Sequence, residues 1–229
     1  MMNKFNFNTV FVSKEGYSFS ADRISAAKRF GNVYTVKDNN LSGVSENFKK
    51  GDVVIIISSV LEKSSMLSFL IEAHAKGFYT VLILAAYNGK SNELIPSDIK
   101  NFAGASIPVL PNEIMPILSM LGALCASASF DKQTLIEALG EGNMLFFASS
   151  RGEDLNLLRK DVSRTLMLKN PGYLNRRHAL VGILASRDTD NAVFEKTFES
   201  FKNNYPDIRA LTFGGKTNME GMEYYVLCR

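Results

Sequence analysis

The chain has 229 residues, 46% hydrophobic and 21% charged, with 16 Gly and 6 Pro; this excludes a wholly disordered chain and any collagen-like or Pro-rich architecture. The length allows one large domain or two small ones, with a core that needs no disulfide or metal staple. The 26 Lys and Arg against 23 Asp and Glu leave a net charge of +3, too small a surplus to predict a nucleic-acid partner.

In chain order, the first half alternates apolar runs with helical patterns. Residues 9–12 predict a short strand, residues 20–30 a helix with Ile24 and Ala27 on one face, and residues 32–36 a second strand. Residues 53–59 (VVIIISS) are dense in β-branched side chains, as in a strand buried on both faces. A helix over 61–76 follows, closed by Gly77. Residues 80–85 (TVLILA) and 106–110 predict two more strands. Such alternation implies right-handed βαβ units and a parallel sheet.

Residues 114–127 read as a long apolar helix and 132–139 as a shorter amphipathic one. The uncharged stretch 114–130 is at the edge of a membrane-spanning length. It contains Pro116, Ser119, Ser127 and Ser129 and has no basic flank, so a helix buried between layers is expected and no membrane span.

The second half begins with a strand over 143–148 (NMLFFA). Ser150 and Glu153 then read as an S-x-x-E capping box. The helix they open places Leu155, Leu158, Val162 and Leu166 on one face. Residues 179–185 (ALVGILA) predict a buried strand, and Phe194, Phe198, Phe201 and Tyr205 the core face of another helix. Residues 208–213 and 222–228 are strands joined by a Gly-rich connection. The order is β-α-β-α-β-β, a sheet with helices on one face. The expected domains are 1–113, connecting helices over 114–140, and 141–229.

Cys125 and Cys228, with His74 and His178, are scattered singly. They give no disulfide framework and no zinc spacing, and neither a metal nor another cofactor is expected. His74 reads as a surface residue. Residues 1–12 lack the apolar run of about 7–15 residues that marks a signal peptide, so the chain reads as cytoplasmic. Between Arg151 and His178 stand seven Lys and Arg against three Asp and Glu. Of these, Arg159, Lys160 and Arg164 read as a solvated helix face, with an acidic partner or nucleic acid as the alternative reading of the stretch.

One ordered set of segments carries a resemblance. It comprises Phe130-Asp131, residues 134–140 (TLIEALG), 149–154 (SSRGED), 179–186 (ALVGILAS), Phe194-Glu195-Lys196-Thr197 and the closing strand 224–228. Together these resemble the C-terminal domain of FtsZ, the bacterial tubulin. Residues 50–59 (KGDVVIIISS), 77–85 (GFYTVLILA) and 107–112 (IPVLPN) are similar, more weakly, to strands of the FtsZ nucleotide-binding domain. The resemblance implies an α/β fold with a truncated parallel-sheet N-terminal domain, a central helix and a β-α-β-α-β-β C-terminal domain. It also implies a cytoskeletal role in which the protein meets itself or a filament partner.

The departures from the family bear on function. FtsZ holds GTP in a glycine-rich loop after its buried strand, where backbone N–H groups reach phosphate because Gly has no Cβ. Here that place reads Ser59, Val60, Leu61, Glu62, Lys63, Ser64 and Ser65, with no Gly and with a carboxylate at Glu62. The family's earlier Gly-rich loop is replaced by residues 13–18, with one Gly. FtsZ hydrolysis also uses two Asp after the central helix, inserted into the neighbouring subunit's site. In residues 126–131 (ASASFD) Asp131 matches the second, and Ala128 or Ser129 stands for the first.

The resemblance therefore implies a non-enzymatic, GTP-free tubulin relative with Phe130 and Asp131 at an assembly interface. Asp131 also has the plainer role of stabilising a helix N-terminus. A second reading is a sugar-phosphate-binding protein or isomerase. GDVVIIISS followed by Glu62-Lys63-Ser64-Ser65 is also similar to the sugar-isomerase domain, where hydroxyls at a strand-to-helix turn bind phosphate. Glu62, Glu72 and His74 are the available bases for that chemistry.

Overall fold

Runs of β-branched and aliphatic residues build the centre of the first sheet, because strands covered on both faces need apolar side chains on each. The structure, a computed structural model, describes residues 7–13, 19–29, 31–37, 41, 43–58, 63–85, 95–126, 131–140, 142–170 and 177–229. It divides into two compact units, Met1–Leu145 and Phe146–Arg229.

The first unit contains β1 (Phe7–Ser13), α1 (Ala21–Lys28), β2 (Gly31–Lys37), β3 (Val53–Ser58), α2 (Lys63–Ala75) and β4 (Tyr79–Leu84). It continues with α3 (Ser97–Phe102), β5 (Ala105–Pro108), α4 (Ile114–Ala126), α5 (Lys132–Leu139) and β6 (Asn143–Met144). The strands form one parallel sheet in the order β2-β1-β3-β4-β5-β6. Every residue of β3 and β4 is buried.

On one face Val54, Ile56, Leu82 and Leu84 pack with Met66, Phe69, Leu70 and Ala73 of α2. Helix α2 also packs against α3, and α1 packs against α4. Gly77, with φ +76°, ends α2 as its sequence predicts. Among the described residues no helix is long and apolar enough to cross a membrane.

The second unit contains β7 (Phe146–Gly152), α6 (Leu155–Lys169), β8 (His178–Ser186), α7 (Asn191–Asn204), β9 (Arg209–Thr217) and β10 (Met222–Cys228). Its sheet has the order β7-β10-β8-β9. Strand β10 runs antiparallel to β7 and β8, and β9 parallel to β8. The β-α-β-α-β-β order is the one expected.

Four details differ from expectation. The strand over 143–148 is two strands: Asn143 and Met144 pair with β5 in the first sheet, and β7 starts the second after a break at Leu145. Ser150 does not cap α6; it lies within β7 opposite Tyr224, and Asp154 is the N-cap, accepting from the Asn156 and Leu157 N–H groups at 2.8 and 3.4 Å. The glycines expected in a connection, Gly214 and Gly215, are inside β9, held in register by β8. Of the Phe stripe on α7 only Phe201 is fully buried, whereas Phe194 and Phe198 are half-buried.

Candidate functional site

In a parallel sheet, ligand crevices form beyond the carboxyl ends of the strands where the chain reverses its direction of travel across the sheet. Here the chain goes from β1 outward to β2, then crosses to β3 on the other side of β1. The reversal therefore lies between β1 and β3, whose ends Val12 and Ser58 are in register. The candidate turn Ser59–Ser65 leaves β3 at this point. Within it Ser59, Val60, Leu61 and Glu62 lie outside the described residues, whereas Lys63, Ser64 and Ser65 form the first turn of α2. Ser64 is exposed and Ser65 half-buried.

The amino end of the same sheet is a polar tie. The Asp52 carboxylate accepts from Asn8 Nδ2 at 2.7 Å and from the Lys49 N–H at 2.9 Å. Asn8 Oδ1 in turn accepts from Asn32 Nδ2 at 3.1 Å, so β1, β2 and the start of β3 are joined. Lys132, the first residue of α5, donates to the carbonyl of Gly51 in the turn before β3. Burial pushes the Lys132 ammonium below its usual pKa, and Asp52 opposes that shift.

Asp131 precedes it as the N-cap of α5. Its carboxylate accepts from the Thr134 N–H at 2.8 Å and the Thr134 hydroxyl at 2.7 Å, and these bonds hold it below the ordinary Asp range. The capping role read from the sequence is thus present. Phe130 lies outside the described residues. Nothing local in the sequence marks Lys132, because a cation at a helix N-terminus opposes the helix dipole and its acceptor lies 81 residues back in the chain. At about 3.3 Å per residue, β3 separates the amino-end tie from the switch point by roughly 20 Å.

No protein-family model matches the chain, and no curated protein matches it either. Solved structures do. An FtsZ variant from M. jannaschii superposes with TM-score 0.64 over 98% of this chain and 90% of its own, at 8% identity. An empty FtsZ dimer from the same organism gives 0.67 over 96% and 87%, also at 8% identity. TubZ from Bacillus thuringiensis serovar israelensis, as GDP-form protofilaments, gives 0.60 over 98% and 84%, at 12% identity.

The chain has the FtsZ/tubulin-like fold.

That fold accounts for both units, including the four-stranded sheet that the sugar-isomerase resemblance leaves unexplained. Within the FtsZ/tubulin-like frame, the described end of the candidate turn, Ser64 and Ser65, and Asp131 stand at opposite poles of the first unit, so one copy does not bring them together. The remaining singled-out residues are dispersed. His74 is exposed, edge-on to Phe102 with ring centroids 6.3 Å apart. His178 is half-buried at the start of β8. Cys228 is buried in β10, its Sγ 3.7 Å from the Phe146 carbonyl. Among the described residues no group of three His, Cys, Asp or Glu is placed to hold a metal.

Proposed function

We propose that this chain is a tubulin-like assembly protein that neither binds nor hydrolyses GTP. One observation carries the proposal: the segment that follows β3 in the chain, Ser59–Ser65, contains no glycine and carries Glu62. A phosphate cradle needs several consecutive N–H groups turned toward one point, which glycine permits most readily. A carboxylate beside a polyphosphate is repulsive without a metal between them.

The two poles of the first unit support assembly. A head-to-tail repeat would set the Asp131 end of one copy against the switch-point end of the next. FtsZ and TubZ, which share the fold, are found as a dimer and as protofilaments. The partner is then a second copy of this chain or a tubulin-like filament protein, and the role belongs to cytoskeletal organisation or cell division in the cytoplasm. Without a nucleotide that binds two states differently, GTP has no means of gating assembly, so concentration or a partner sets the equilibrium.

The test is a titration with fluorescent GTP, with and without Mg²⁺, beside a pelleting assay for polymers and a phosphate-release assay. The expected result is no saturation up to about 1 mM nucleotide, no phosphate release, and concentration-dependent polymers indifferent to GTP. Saturable micromolar binding, or GTP-stimulated polymerisation, overturns the proposal.

A further inference from the structure

The second unit holds a groove lined wholly by its own residues. Helix α6 packs on β7 and β10, and α7 on β9. Between them, above β10, opens a cavity of about 550 Å³. Its floor is apolar: Val162 and Leu166 from α6, Phe201 from α7 and Val226 from β10, none more than 5% exposed. Its rim carries Arg159, Lys160 and Arg164, and among the described residues no carboxylate lines it. Asp161 of α6 is turned the other way, toward Ser150 Oγ at 3.4 Å. Met167, also on the rim, is 51% exposed, a large apolar side chain left in water at the mouth of the groove.

We propose that this groove docks an acidic segment of a partner protein. An apolar anchor of that segment enters the floor and its carboxylates meet the three rim cations. Concave apolar pockets supply most of the affinity when one anchor side chain is desolvated. Rim charges of a single sign select the partner and speed its approach. An amphipathic helix laid between two helices is a recurrent way to meet such a groove. A flat anionic membrane is the weaker match, because a bilayer surface does not fill a concavity, although Leu157 and Leu168 on the outer face of α6 are 56% and 79% exposed. The proposal is independent of whether the chain binds GTP.

The test titrates the full chain into a fluorescein-labelled peptide of about three helical turns, with Leu along one face and Glu along the other. Anisotropy is read at two salt concentrations. The expected result is saturable binding that weakens with salt, falls roughly tenfold in the Lys160→Glu/Arg164→Glu variant, and falls several-fold in Met167→Ser. All three side chains are exposed, and circular dichroism checks that the variants fold. The same peptide with Lys in place of Glu is expected not to bind.

Four results overturn the proposal. They are no binding, binding unchanged in both variants, equal binding of a peptide with Ser in place of Leu, and co-sedimentation with phosphatidylglycerol vesicles without peptide binding. The last would make α6 a membrane-facing helix instead.

Discussion

Lys132 at the start of α5 donates its ammonium to the carbonyl of Gly51, the residue that turns the chain into β3. A single side chain thus ties the helix after α4 to the amino end of the central strand. Gly51 itself has φ +91°, a conformation that few other residues adopt without strain. Replacing Lys132 with Met keeps the alkyl stem and removes the bond. The expected cost is about 1 kcal/mol, below the usual range for a charged hydrogen bond because the site is partly solvated. Urea denaturation measures it, and an unchanged midpoint would show that the tie contributes nothing.

Asp131 has two roles to separate, and Asn separates them. Asn caps helices about as well as Asp but carries no charge. Asp131→Ala is expected to lower Tm by roughly 2–4 °C, whereas Asp131→Asn leaves it nearly unchanged. If the carboxylate forms a polymer contact, both variants pellet less than the parent chain. Normal pelleting by Asp131→Asn would leave the residue with its cap alone.

Phe213 lies over Gly182, and a Cβ on Gly182 would stand 1.9 Å from the end of that ring. The ring also stacks with Tyr225, which stacks in turn with Phe147, at centroid distances of 6.4 Å in each case. Gly182→Ala therefore has to displace Phe213 and is expected to cost roughly 1–3 kcal/mol. Adding Phe213→Leu makes room, so the double variant is expected to be more stable than the sum of the two single changes predicts. Strict additivity in thermal or urea melts would mean that the two sites do not meet.

His178 gives the second unit a pH dependence. It opens β8 opposite Arg209. Burial first, then Arg229, Arg209 and Arg177, push its pKa below the usual 6.5. The unfolded chain then binds a proton at a pH where the folded chain does not. Its contribution to stability is complete above pH 6.5 and is lost as the pH falls from there through the lowered folded-state pKa. Melting temperatures followed from above pH 6.5 down to about pH 5 are expected to decline less steeply in His178→Gln. Parallel slopes for the two proteins would remove His178 as the cause.

The legible parts of the fold were those where one physical demand dominates the sequence. β3, β4 and β8 are buried so completely that their aliphatic runs admit little else. The illegible parts were decided by partners remote in the chain. Nothing local in NMLFFA marks Leu145 as a break; Met144 is paired with Ser106, and Phe146 with Cys228. Ser150 has the right spacing for a capping box, but pairing with Tyr224 keeps it extended and passes the cap to Asp154. Helix α3, six residues long, is too short to show a period. At the candidate site, Asp131 was legible because N-caps are local, and Lys132 was missed because its acceptor is far back in the chain.

The order β7-β10-β8-β9 places the last-made strand of the second unit between two made earlier. During synthesis, β7 and β8 therefore wait for β10 with their inner edges unpaired, however long ago they left the ribosome. The first unit has no such delay, since its sheet needs nothing beyond β6. A nascent chain stopped before Met222 would hold a complete first sheet and a split second one, with two strand edges open to pairing with other chains. Strand β10 thus decides whether the second unit closes its sheet or leaves two edges as targets for chaperones and proteases.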